Sequence, residues 1–317
     1  MMRGKMSFWC WLLGWTIATA LAGAPAWAQQ KNGFDLSQAL IPASQILHGG
    51  PPRDGIPAID QPRFADPEDA RLWRDEDLML TLDREGRSVA YPIGILNWHE
   101  IVNHRHGGSG VLITFCPLCG TGIAFDPVVD GRYLTFGVSG LLYNSDLLMY
   151  DRQTESLWSQ IEGRAVAGPL AGTHLERLPV RHERWRDWQQ RVGDRGRVLS
   201  TDTGYHRNYR RSPYGDYDHS ERVFFPVSHT SRKYHPKTWV LGWEHNGEAK
   251  AWPFPELAKH GDTLRDRVGG RPVVVHYDAG VPDATLTTET GEPIAAIRAF
   301  WFAWYTFHPD TDIFEVP

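Results

Sequence analysis

Residues 84–99, REGRSVAYPIGILNWH, and residues 245–260, HNGEAKAWPFPELAKH, carry one pattern twice. Gly86, Ala90, Pro92, Leu96 and His99 fall on Gly247, Ala251, Pro253, Leu257 and His260 at a constant spacing. One residue out of step, Arg105, Gly107, Gly108 and Val111 then match Arg267, Gly269, Gly270 and Val273. Both copies run on into apolar strands, Val111–Phe115 and Val273–Tyr277. The unit reads as turn, short strand, Pro-led short helix, Gly-rich turn and buried strand, which marks a duplication. Gly and Pro are abundant and long amphipathic periods are scarce, so the expected class is mainly β (α+β): two related β-rich lobes with short helices.

Working outward, residues 78–180 form lobe 1 and 241–317 lobe 2. Residues 29–77 read as an irregular N-terminal segment rich in Pro, Gly and Asp, with a short helix near Pro67–Trp73. Residues 181–240 read as a solvated connector in which basic residues outnumber acidic ones among many aromatics, with a short helix at Arg184–Arg191. No nucleic-acid motif accompanies that basic charge, so no nucleic-acid partner is expected. A third likeness sets Met149–Thr154 against Thr306–Thr311, each after a strand-like apolar run.

The first residues predict an address. Arg3 and Lys5 precede an apolar run from Phe8 to about Ala22, and Ala26-Trp27-Ala28 closes it with small residues around a large one. This is the pattern of a secretory signal peptide over 1–28, cut after Ala28, and it sends the chain to the periplasm or outside. No later stretch offers ~18 uninterrupted apolar residues, so no stable membrane span is expected after cleavage. Cleavage removes Cys10 and leaves Cys116 and Cys119 as the only thiols, with Met79 and Met149 as the only thioethers.

Cys116-Pro-Leu-Cys119 ends the strand Val111–Phe115 and precedes Gly120-Thr-Gly122. Three chemistries use this spacing. A metal knuckle points both sulfurs at one ion, and two thiolates are half of a tetrahedral shell, to be completed by His, Met, Asp or water. A mixed soft set favours copper before zinc. Thiol–disulfide exchange by a periplasmic oxidoreductase needs a helix after Cys116, which the glycines oppose. A structural disulfide in a non-catalytic binding module is the third reading. Candidate ligands besides Cys116 and Cys119 are His308, behind the aromatic run Phe300–Phe307, and Met149. Asp151 and Arg152 read as a turn with a local ion pair or as a pocket wall whose Arg holds an anion; His99 is a further pocket-lining candidate. Ser139, Ser145 and Asp146 are polar residues of the same region. His104 and His106 flank a Gly-rich turn and read as solvated.

The stretches YPIGILNWHEIVN, TFCPLCGTGIAFD, TFGVSGLLYNSDLLMYDRQTESLWSQ and FWFAWYTFHPDT resemble an uncharacterised bacterial and archaeal family, the domain of unknown function 3179. The resemblance runs from about Leu78 to Asp312. It implies a shared site around Cys116, Cys119, Met149, Asp151, Arg152 and His308, and it supplies no activity. His104 departs from the acidic residue expected after Asn103, which argues against catalysis at that position.

Overall fold

The computed structural model describes Met1 and residues 30–106, 109–281 and 283–316; the signal-peptide reading and its cut after Ala28 lie outside them. The chain is mainly β with short helices, and its five larger sheets form a five-bladed, propeller-like arrangement.

The duplicated sequence folds into duplicated elements. In the first copy the hairpin Leu78–Arg84/Arg87–Pro92 leads into the helix Ile93–His99 and the hairpin Ile101–His106/Ser109–Cys116. In the second, Trp239–His245/Glu248–Pro253 leads into Phe254–His260 and Thr263–Val268/Arg271–Asp278. The first turn of each copy is a two-residue loop with both residues at positive φ: Glu85 and Gly86 (52° and 73°), Asn246 and Gly247 (51° and 77°). That backbone twist matches the twist of the flanking strands, which is why Gly stands second in both. Pro92 and Pro253 then cap the helices in extended conformation. The one-residue slip lies at the helix exits: Glu100 alone separates the first helix from its strand, whereas Gly261 and Asp262 do so in the second.

The likeness reaches further than the sequence shows. Arg181–Arg184 pairs antiparallel with Leu78–Arg84, and Gly196–Leu199 lies parallel to Arg87–Pro92. In the second copy Ile297–Phe300 pairs antiparallel with Trp239–His245, and Asp312–Ile313 lies parallel to Glu248–Pro253. Between these strands sit the helices Trp185–Val192 and Trp301–Phe307, so Trp185 and Trp188 stand where Trp301 and Trp304 stand. All four indoles are buried. Thus the beginning of the stretch read as a connector, with its expected helix, is part of the first copy's sheet, and little regular structure occurs from 200 to 238. The expected likeness of 149–154 to 306–311 does not hold, because the former ends a strand and the latter a helix. Phe300–Phe307 is aromatic enough for a strand, yet Trp301 to Phe307 wind as a helix because packing of the Trp301 and Trp304 indoles overrides strand propensity.

Each copy therefore builds two sheets, and the fifth is an insertion in the first copy. Thr121–Asp126 pairs with Glu176–Leu178 across a long excursion, while the equivalent Asp283–Thr287 reaches Pro293–Ile294 through a short loop. The excursion folds as Phe136–Tyr143, Asp146–Asp151, Leu157–Ser159 and Arg164–Ala167, with Ile46–His48 of the N-terminal segment added at one edge. Pro67–Asp69 is a single 3-10 turn. Among the described residues no helix is long and apolar enough to cross a membrane.

Candidate metal centre

Where the inserted sheet meets the first copy, three acidic groups converge. Ser109–Cys116 ends at Cys116, a turn closes with Cys119 N–H donating to the Cys116 carbonyl (3.2 Å), and Gly120 leaves at φ 67°. No helix follows; Thr121–Asp126 begins at once. Opposite stands the turn of the inserted hairpin, in which Asn144 and Ser145 both take positive φ (53° and 65°). Such backbone is strained for residues other than Gly and is held only where its surroundings dictate it. Here it aims the Ser145 carbonyl at both thiols, which lie 4.0 Å (Cys116) and 3.4 Å (Cys119) away. Asp146, opening the strand Asp146–Asp151, brings a carboxylate oxygen to the pair. The two Sγ atoms and this oxygen all lie within 4.8 Å of one another.

All three side chains are 2% exposed or less. Burial pushes the thiols up and the Asp146 carboxyl up to about 7, although Asp146 Oδ2 accepts the Ile161 N–H at 3.0 Å. Among the described residues the buried Asp146 Oδ1 and Ser145 Oγ make no well-formed hydrogen bond: Asp146 has only the two thiols as weak donors, and Ser145 only the nearby Tyr217 hydroxyl. An unpaired buried polar atom costs about 1–3 kcal/mol, so this pair marks a place where a partner is wanted. Nearby, burial also pushes Glu100 up to about 7, and its carboxyl accepts the Tyr214 hydroxyl at 2.8 Å. Lys237, brought down to about 8 by burial, donates to the Arg222 carbonyl (2.7 Å) and lies 3.7 Å from the Tyr217 ring centre.

The other candidate residues have surroundings of their own. Met149 lies in the same apolar core as the cysteines, paired between Val138 and Trp158. His308 is absent from the trio. Its ring stacks on Trp304 at 4.0 Å, its Nδ1 is 3.6 Å from Glu244, and it lines a cavity of about 430 Å³ with His174, Glu162 and Arg177. Burial and the Arg177 guanidinium bring it down to about 4. Asp151 is a buried turn organiser that accepts Thr154 N–H (2.6 Å), Thr154 Oγ1 (2.8 Å) and Trp158 Nε1 (2.9 Å). Arg152 pairs with Asp60 at 2.7 Å rather than with Asp151. His99 is held by the Pro57 carbonyl and the Tyr209 hydroxyl, each at 2.8 Å. His104 corrects its solvated reading: it is buried, 2.6 Å from the Tyr91 hydroxyl and packed at a tilt against the Phe64 ring, because its strand faces the first copy's core. Asp146 is the residue that sequence reasoning did not single out as a ligand; a carboxylate heading the run Leu-Leu-Met-Tyr is its only local signal.

A strand-borne Cys-x-x-Cys turn facing a buried carboxylate, on a duplicated five-sheet β fold, defines the class. The chain belongs to the family described as Protein of unknown function (DUF3179), whose match covers residues 53–291. No curated protein and no solved structure matches the chain.

Proposed function

We propose that this is an exported metal-binding protein whose ion is held by Cys116, Cys119 and Asp146. The observation that carries the reading is the convergence of three buried acids within 4.8 Å, the carboxylate having an oxygen with no well-formed hydrogen bond. Three buried protons are exchanged for one divalent cation, which relieves the desolvation of all three groups together. A carboxylate is a harder ligand than the His and Met expected from sequence, so the donor set now favours zinc over copper. Three protein ligands leave the fourth tetrahedral position to water or a substrate. Export is supported by the charged, apolar and Ala-x-Ala pattern of residues 1–28. Thiol exchange is disfavoured by burial, by thiols pushed up rather than down and by the strand that follows the pair.

The test is elemental analysis of the chain purified from its native compartment, with Cys116→Ser and Asp146→Asn alongside. One zinc per wild-type chain and markedly less in both variants is the expected result. Wild-type protein that neither carries nor takes up zinc or copper after reduction overturns the proposal.

A further inference from the structure

A second site lies between the two copies, and neither its residues nor its chemistry belong to the metal trio. Arg181–Arg184 and Ile297–Phe300 are equivalent strands, each followed at once by its Trp-led helix. The second residue of each is therefore equivalent: His182 faces Leu80 in register and Arg298 faces Leu241. Both line one cavity of about 150 Å³, together with Trp239, Phe300, Tyr214 and Tyr217. The duplication has placed an imidazole and a guanidinium at equivalent positions of a single pocket.

Arg298 is unusual. Its side chain is 5% exposed, its Nε has no hydrogen-bond partner, and its nearest carboxylate, Asp283, lies 3.8 Å away, beyond hydrogen-bond reach. The guanidinium carbon lies over the Trp239 ring, 3.8 Å from its centre. Asp283 spends its Oδ2 on the His182 backbone N–H (3.0 Å), while His182 Nε2 is buried and unpartnered. A buried guanidinium normally uses its fork, and leaving it unused is costly. Asp283 is thus the counter-ion of Arg298 but accepts none of its N–H donors, and burial together with the Arg298 guanidinium holds the His182 imidazole well below its usual range, in its neutral form. What a carboxylate would engage here is the set of unused N–H donors rather than an excess of positive charge. Leu78, Ile93, Trp239 and Phe300 give part of the lining an apolar character that suits a hydrophobic body, while Asn97, Ser212 and Asp218 make another part polar.

We infer that this inter-copy cavity binds a small organic monocarboxylate, its carboxylate on the Arg298 fork beside His182 and its apolar body against Trp239 and Phe300. Tyr214 and Tyr217, from the stretch with little regular structure, complete the lining. Pro117 and Gly120 of the cysteine turn form another part of the lining, so the ligand sits beside the metal trio but touches neither sulfur.

Isothermal titration calorimetry on the full chain tests this with benzoate, with benzyl alcohol as the uncharged analogue and inorganic phosphate as the dianion. Benzoate should bind saturably at one per chain and more tightly than either comparator. Arg298→Lys, which keeps the charge but loses the fork, should bind it about tenfold more weakly. His182→Gln should weaken it less, and circular dichroism should report both variants folded. Absent benzoate binding, equal binding of benzyl alcohol, preference for phosphate, or undiminished binding by folded Arg298→Lys each overturns the proposal. Zinc content of the same samples reports separately on the metal reading.

Discussion

The third turn of the duplicated unit occurs twice, and the two versions share a place but not a chemistry. In the second copy the strand ends at Asp278, whose exposed carboxylate accepts the N–H groups of Gly280 (2.8 Å) and Val281 (3.4 Å). That is an ordinary Asx turn, stabilised by its own side chain. In the first copy Cys116 stands in the same place, and the turn is buried against the Asn144–Ser145 turn of the inserted sheet. The fold thus asks only for a chain reversal here, and an Asp supplies it. Two thiols at the first turn are not required by the backbone. Their burial beside Asp146 is explained by what the inserted sheet brings to them.

The helix exits differ in the same direction. Gly261 leaves the second helix at φ 116°, a conformation natural to glycine, and is half-exposed. Glu100 leaves the first at φ 57°, buried, with its carboxyl on Tyr214. The first copy therefore carries strained, buried acidic residues where the second carries turn residues in or near solvent, a distribution associated with functional sites.

Breaking the difference should have graded effects. The largest is expected from metal removal. With free zinc a thousandfold above its dissociation constant, the bound ion stabilises by about 4 kcal/mol. A chelator should lower the wild-type thermal midpoint accordingly, and leave Cys116→Ser and Asp278→Ala unequal: the former insensitive to chelator, the latter as sensitive as wild type. Next, Glu100→Gln keeps an acceptor for Tyr214 but cannot ionise. Because the folded-state carboxyl is raised to about 7, its stabilising contribution is full below the unfolded value of about 4.5 and is lost as pH rises through 7. The variant should gain on wild type between those limits, levelling off near 3 kcal/mol (about 1.4 kcal/mol per pH unit) above them. Urea unfolding at pH 5 and pH 8 reads this out, and an equal difference at both pH values contradicts it.

Smaller losses should follow at the turns themselves. A Cβ on Gly120, at φ 67°, lies 2.5 Å from the Trp239 ring, so Gly120→Ala should cost about 2 kcal/mol of unfolding free energy and perturb zinc uptake. Asp278→Ala removes only two exposed turn hydrogen bonds and should cost about 1 kcal/mol, with zinc content unchanged. A larger loss from Asp278→Ala than from Gly120→Ala, measured by denaturant midpoint, would reverse the ranking of the two turns.

The duplicated core of the fold was legible because its punctuation is local. Gly86, Gly247, Pro92 and Pro253 dictate turns and helix starts by backbone chemistry alone. The later halves of the copies were harder to read, since Arg181–Arg184 and Ile297–Phe300 share no residues in register and the Trp-x-x-Trp that follows each, Trp185/Trp188 and Trp301/Trp304, is too short a signal to mark their common place without the strand pairing. The same holds for the site. Cys116 and Cys119 announce themselves by spacing. Asp146 is brought to them by a hairpin that ends elsewhere in sequence, and His308, which looked like their partner, is drawn away by Trp304 and Glu244. His182 and Arg298 carried no signal until the two copies could be superposed element by element.

X-ray absorption at the zinc edge of the purified full chain tests the central claim most directly. The account predicts a first shell of two sulfurs at about 2.3 Å and oxygen ligands at about 2.0 Å, with the sulfur shell lost in the Cys116→Ser/Cys119→Ser double variant. A zinc shell of nitrogen and oxygen alone in wild-type protein, unchanged in that variant, would contradict it.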